Sequence, residues 1–226
     1  MGKILLIDCS IKTYMMVNVK ALARISAEMP KIGMQPQRRK ALILAAISEI
    51  AAAGTLDVTV AQIAKRAGMS AALAMHYFGT KENIFLAAMR YVLELYREAV
   101  RAHLAAAKTP YDRIVAIINA SFETSQFERE VVAAWLAFYV RALQSRDAKR
   151  LLEVYARRLQ SNLLFDLRQL FDDTSAEQIA QGLASLIDGF YIRHALQDSV
   201  PDRNDTRALV QDYLELWLER KNQLGR

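Results

Sequence analysis

Thr59-Val60-Ala61-Gln62-Ile63-Ala64-Lys65-Arg66-Ala67-Gly68-Met69-Ser70, continued by Ala71 to Phe78, is the stretch on which the reading of the fold turns. Thr59 and Gln62 stand at the spacing of a capping box, which starts a helix by satisfying two of its orphan amides reciprocally. Val60, Ile63 and Ala64 give that helix an apolar face, and Ala67 permits close contact with a neighbour. Gly68 ends the helix after Ala67, because a residue free to adopt positive φ closes a helix C-terminus without a Cβ penalty. Ser70 is placed to cap a second helix running through His76. A short helix, a glycine turn and a second short helix fit a helix-turn-helix whose second helix enters a DNA groove. They fit equally an αα-hairpin in a bundle.

Outward from this stretch, the chain reads as helices throughout. An Ala-rich helix from Lys40 to Ala53 stops at Gly54, and Gly79-Thr80 opens a long helix from Lys81 to about Ala107. Thr109-Pro110 supplies a cap and a first-turn proline for a helix to about Ser125. Further helices are expected at about 129–144, 147–171, 175–197 and 204–223, with Ser175 and Gln178 forming a second capping-box spacing. Only four prolines interrupt this pattern, so the fold class is all-α. Residues 1–28 form a leader of uncertain role, in which 11–27 has helical periodicity but no clear cap, and Met29 is an alternative start.

The charge is unevenly spread. Lys31 to Arg90 holds eight basic and three acidic residues, whereas 91–226 holds 18 basic and 19 acidic, so the formal +6 is concentrated around the helix-turn-helix stretch. A polyanionic partner for that stretch explains the asymmetry, and so does a solvated basic face. Cys9 is the single cysteine and no Cys/His cluster has metal-ligand spacing, which predicts no disulfide, no metal, no cofactor and a reducing cytoplasmic location. No long apolar run predicts a membrane span. His76, His103 and His194 fall on separate expected helices, and neither a nucleophile–base pair nor a phosphate-binding glycine loop stands out, so an enzyme is not expected.

The continuation of the opening stretch resembles the TetR family. Ile63-Ala64, Ala67-Gly68, Ser70, the aromatic run His76-Tyr77-Phe78 and Lys81-Glu82 match that family's N-terminal pattern. The resemblance implies an N-terminal DNA-binding domain over 29–80 and a ligand-binding and dimerisation domain over 81–226. It also implies that Thr59, Ser70, Tyr77 and Lys81 contact phosphates, while Ala71, Ala72, Leu73, Met75 and His76 face base edges. Many relatives carry Gly-Thr-Leu-Tyr where this chain has Ala72-Leu73-Ala74-Met75. An Ala, Leu and Met surface offers contacts to thymine methyl groups, which leaves His76 as the clearest polar reader and turns specificity either to DNA shape or to Arg38 and Arg39 ahead of the first helix.

Further blocks are similar to the BetI-type branch of that family: Met29 to Pro36, Trp135 to Phe138, Arg158 to Leu163 and Gly182 to Gly189. This implies a repressor of choline-to-glycine-betaine genes, released from a palindromic DNA operator by a small-molecule inducer, choline or betaine aldehyde. It further implies a homodimer formed by the last two helices, and a swing of the Lys81 helix on induction. The residues make chemical sense of a quaternary ammonium ligand, which donates no N–H and is held by aromatic faces and a carboxylate. Trp135, Phe138 and Tyr139 share one helix face, and Asp188 and Tyr191 share another. Asp188 interrupts an apolar run and needs a partner, either a bound cation or an internal arginine such as Arg193. Asn162 is a further polar candidate. An aromatic stripe of this kind also serves as ordinary core.

Overall fold

The computed structural model describes residues 34–123, 128–197 and 202–224, so expectations for the leader lie outside the described residues. Among the described residues the chain forms nine helices: α1 (Met34–Ala53), α2 (Val60–Arg66), α3 (Ala71–Phe78), α4 (Lys81–Leu104), α5 (Pro110–Ser121), α6 (Arg129–Ala142), α7 (Arg146–Leu167), α8 (Asp173–Leu196) and α9 (Arg203–Leu224). The all-α class holds.

The first three helices pack on one another and on the start of α4. Leu42, Ala46 and Ile50 of α1, Ile63 and Ala64 of α2, Ala74 and Phe78 of α3, and Ile84 of α4 meet in a common core. Helices this short are unstable alone, and burial of one apolar stripe each is what holds them. The capping box at Thr59 forms as the spacing predicts: its hydroxyl accepts from the Gln62 amide at 3.2 Å, and the Gln62 carboxamide oxygen accepts from the Thr59 amide at 2.7 Å. Gly68 has φ +68°, with the Met69 amide reaching back to the Ala64 carbonyl at 2.8 Å and the Gly68 amide to Lys65 at 3.1 Å. This crossed pair of bonds turns the chain sharply into α3.

Several boundaries differ from expectation. α1 begins at Met34, with Pro36 in its first turn, where an absent N–H costs no helical bond. Arg38 and Arg39 therefore lie within the first helix and not ahead of it. α3 continues to Phe78, held by the Gly79 amide on the Met75 carbonyl at 2.7 Å. α8 begins one turn early because the Asp172 carboxylate accepts from the Ser175 amide at 2.9 Å, so the box expected at Ser175 is not used. A carboxylate at a helix N-terminus also interacts favourably with the helix dipole.

The remainder is a helical body. α4 packs on α5, α6 and α7; α6 on α7 and α8; and α8 on α9, which also touches α5. The two parts are joined along α4 and by the packing of α1 on α6. A polar clamp reinforces the junction. Glu82, in the first turn of α4, receives both Arg141 of α6, one bond at 3.3 Å and one shorter, and the Ser145 hydroxyl at 2.9 Å. No helix among the described residues is long and apolar enough to cross a membrane.

Candidate nucleic-acid interface and ligand site

α3 presents Ala71, Ala72, Met75 and His76 to solvent while Ala74 and Phe78 anchor it from behind and Leu73 and Tyr77 lie half-buried. Ala71, Ala72, Met75 and His76 of the set expected to face bases are exposed, Leu73 is half-buried, and the exposed chemistry is apolar apart from the imidazole. Ser70 is exposed at the helix start, where its hydroxyl accepts from the Leu73 amide at 3.2 Å. Thr59 is exposed too, although its hydroxyl is already engaged by Gln62 at 2.8 Å. Lys81 is half-buried, its ammonium 5.2 Å from the centroid of the Phe85 ring.

Arg39 is engaged within the protomer. Its guanidinium donates to the Tyr77 carbonyl and lies 4.3 Å from the centroid of the Phe78 ring, so it clamps α1 to the end of α3. An arginine held by this contact fixes α3 against α1. Arg38 is half-buried on the same helix.

The second site is inside the body. Trp135 and Tyr139 of α6, and Asp188 and Tyr191 of α8, come together as their shared faces predict. The Trp135 ring lies 6.0 Å from Tyr139, 5.1 Å from Tyr155 and 6.4 Å from Tyr191, the last nearly edge-on. Tyr155 of α7 in turn meets Tyr96 of α4 edge-to-face at 5.4 Å. Four helices thus contribute rings to one cluster. Phe138, on the same helix as Trp135, is buried in the surrounding core. Asn162 is the clear miss: it is exposed on α7, next to the fully buried Leu163.

The polar groups of the cluster are few. The Tyr139 hydroxyl donates to Asp188 at 2.9 Å, the Tyr96 hydroxyl lies 3.1 Å from the Ser121 hydroxyl, and the Tyr191 hydroxyl donates to the Ser121 carbonyl. Burial pushes the Tyr96 phenol up to about 12 and also raises those of Tyr139, Tyr155 and Tyr191, the Asp188 charge adding to the rise at Tyr139. All four phenols are therefore neutral at physiological pH. Burial also raises Asp188 above the usual carboxylate range, opposed by the hydrogen bond from Tyr139. Among the described residues no basic side chain forms an ion pair with Asp188, and Arg193 is exposed. The Trp135 indole, 3% exposed, has its Nε1 buried with no hydrogen-bond partner among the described residues.

Tyr96, Ser121 and Tyr155 were not singled out from the sequence. Each lies in an apolar helix face where a tyrosine or serine looks like core. The available signal was a run of aromatic residues on several amphipathic helices, which the one-dimensional pattern does not join.

Comparison with known proteins gives the chain its family and fold. Residues 42–88 match the family model described as bacterial regulatory proteins of the tetR family, and residues 110–219 match the BetI-type transcriptional repressor C-terminal model. The HTH-type transcriptional regulator BetI of Brucella suis is 54% identical over 190 residues, spanning 84% of this chain and 96% of the relative. Its namesake from Agrobacterium fabrum is 49% identical over 192 residues, spanning 84% of this chain and 93% of the relative. Among solved structures, a transcriptional regulator from Saccharomonospora viridis in complex with choline superposes with a TM-score of 0.72 at 23% identity, covering 80% of this chain and 96% of that one, which shows a shared fold.

Proposed function

This chain belongs to the TetR family of bacterial regulators and carries the BetI-type repressor C-terminal domain, and from that premise we propose that it is a dimeric repressor released from DNA by choline or betaine aldehyde. It is a transcriptional regulator and not an enzyme.

The observation that carries the inducer class is Asp188: a carboxylate drawn into an aromatic cluster, hydrogen-bonded by one phenol and given no cation by the described residues. Such a group is costly unless charge arrives from outside. A quaternary ammonium supplies it without N–H bonds to satisfy, and the faces of Trp135, Tyr139, Tyr155 and Tyr191 suit a polarising, methyl-covered cation. The choline held by the Saccharomonospora viridis regulator is consistent with this reading.

The DNA-bound form uses α3 in the major groove of each half-site, with the α3 and α4 N-termini directed at phosphates. Dimerisation uses α8 and α9. Leu196 of α8 is 73% exposed, and Leu209 and Leu216, two turns apart on α9, are 57% and 63% exposed, which is the apolar face a helical interface buries. A Cβ on Gly182 would collide with the Tyr213 hydroxyl, which accounts for that glycine within the protomer, whereas Gly189 on the same helix has open space beside it and suits close approach of a second copy. Inducer contacts fall on α6, whose Arg141 grips Glu82 at the start of α4. Repacking around a ligand shifts that grip and with it the separation of the two recognition helices.

Calorimetric titration of choline and of its uncharged isostere 3,3-dimethylbutan-1-ol tests the ligand assignment. Asp188→Asn weakens choline binding by about tenfold or more and leaves the neutral alcohol nearly unchanged. Equal loss for both ligands would remove the case for a cation.

A further inference from the structure

The cluster's aromatic faces and its carboxylate account for a positive charge, but they leave one group unexplained. The Trp135 indole N–H is a donor with no acceptor role, and it is buried without a partner among the described residues. Buried donors in native proteins almost always find an acceptor. Its ring is flanked by Tyr139, Tyr155 and Tyr191, and Tyr139 is the residue bonded to Asp188. The unmatched donor therefore lies within the group of side chains assigned to the cation.

We propose that Trp135 is a specificity-determining residue whose Nε1–H donates a hydrogen bond to an acceptor oxygen of the inducer. This rests on the quaternary-ammonium reading of the cluster and adds to it a second chemical requirement, an oxygen acceptor. The class of ligand narrows accordingly. A bare tetraalkylammonium satisfies the ring faces and Asp188 but leaves the indole donor unpaired. A hydroxyl or aldehyde oxygen pairs it. Discrimination of this kind is strong because the penalty for an unmatched buried donor falls on the wrong ligand.

The test compares tetramethylammonium with choline. In calorimetry, Trp135→Phe keeps an aromatic face but removes the donor, so it lowers the ratio of choline to tetramethylammonium affinity by about fivefold. Any general weakening of the cage acts on both ions and cancels in the ratio. A readout on the unaltered protein guards against a variant that folds poorly. The chain has two tryptophans, so its proton–nitrogen correlation spectrum holds two indole signals, with Trp217→Phe identifying that of Trp135. Choline moves the Trp135 Nε1–H signal downfield and tetramethylammonium does not. If both ions bind, the ratio survives Trp135→Phe and the indole signal responds alike to each, the proposal is overturned while the cation site stands. If neither ion binds, the quaternary-ammonium reading fails and the proposal falls with it.

Discussion

Asp188 is the single residue on which the proposed cation chemistry depends most. Burial raises its carboxyl above the ordinary range, so protonation competes with cation binding over a range that lies above that of a free aspartate. The sign follows from the charge. The proposed cation requires the ionised form, so its affinity should be flat above the raised pKa and fall by up to about tenfold per pH unit below it, since one proton is displaced for each cation bound. Calorimetry of choline binding from about pH 8 downwards should show that decline in the unaltered protein and a flat profile in Asp188→Asn. A decline of equal size in the variant would assign the titration elsewhere. At this scale the sequence was partly legible. Asp188, Tyr191, Trp135 and Tyr139 were recoverable because each pair shares a helix face. Tyr96, Ser121 and Tyr155 were not, because their helices reach the cluster only through tertiary packing. Asn162 failed by a single step of helical phase: Leu163 takes the inward direction, and a neighbour 100° away faces solvent.

Elements follow local chemistry where one signal dominates, and depart from it where two compete. The turn between α2 and α3 was readable because Gly68 alone supplies a positive φ there, and the crossed bonds from Met69 and Gly68 complete it. The start of α8 differs from the spacing's expectation because two caps stand three residues apart, and Asp172 outcompetes Ser175. Long-range clamps left no local trace: Arg39 on the Tyr77 carbonyl and Arg141 on Glu82 join residues 38 and 59 positions apart. The Arg141 clamp carries a prediction of its own, because it connects the helix bearing Trp135 and Tyr139 to the first turn after the DNA-binding helices. Arg141→Met leaves choline affinity in the free protein within about twofold but reduces the ligand-dependent loss of DNA affinity, from a coupling of roughly 5–150-fold towards unity. DNA affinity measured with and without saturating choline checks this. Undiminished coupling in the variant would place the transmission outside the clamp.

For the whole molecule, the concentration of charge, the helical body and the exposed leucines point to one arrangement. The window from Lys31 to Arg90 carries most of the formal +6, so DNA affinity should fall steeply with salt while ligand affinity does not. Replacing Leu209 and Leu216 with arginine places like charges on the exposed face of α9. Sedimentation equilibrium of the double variant should give a protomer-sized species that keeps its helical circular dichroism and loses operator binding. A dimer of unchanged stability would exclude this face as the interface. The fold class and the order of helices were legible from period and punctuation, whereas assembly and coupling depend on surfaces that no single helix displays.

Under the proposed function, cation entry into the body releases DNA bound by the N-terminal helices. Fluorescence anisotropy of a labelled duplex from the gene's own upstream region, bound by the protein and titrated with choline, betaine aldehyde and glycine betaine, tests it most directly. The account predicts release by choline or the aldehyde, with Asp188→Asn requiring about tenfold more ligand or better. Tight, salt-sensitive DNA binding that none of the three compounds relieves would contradict it.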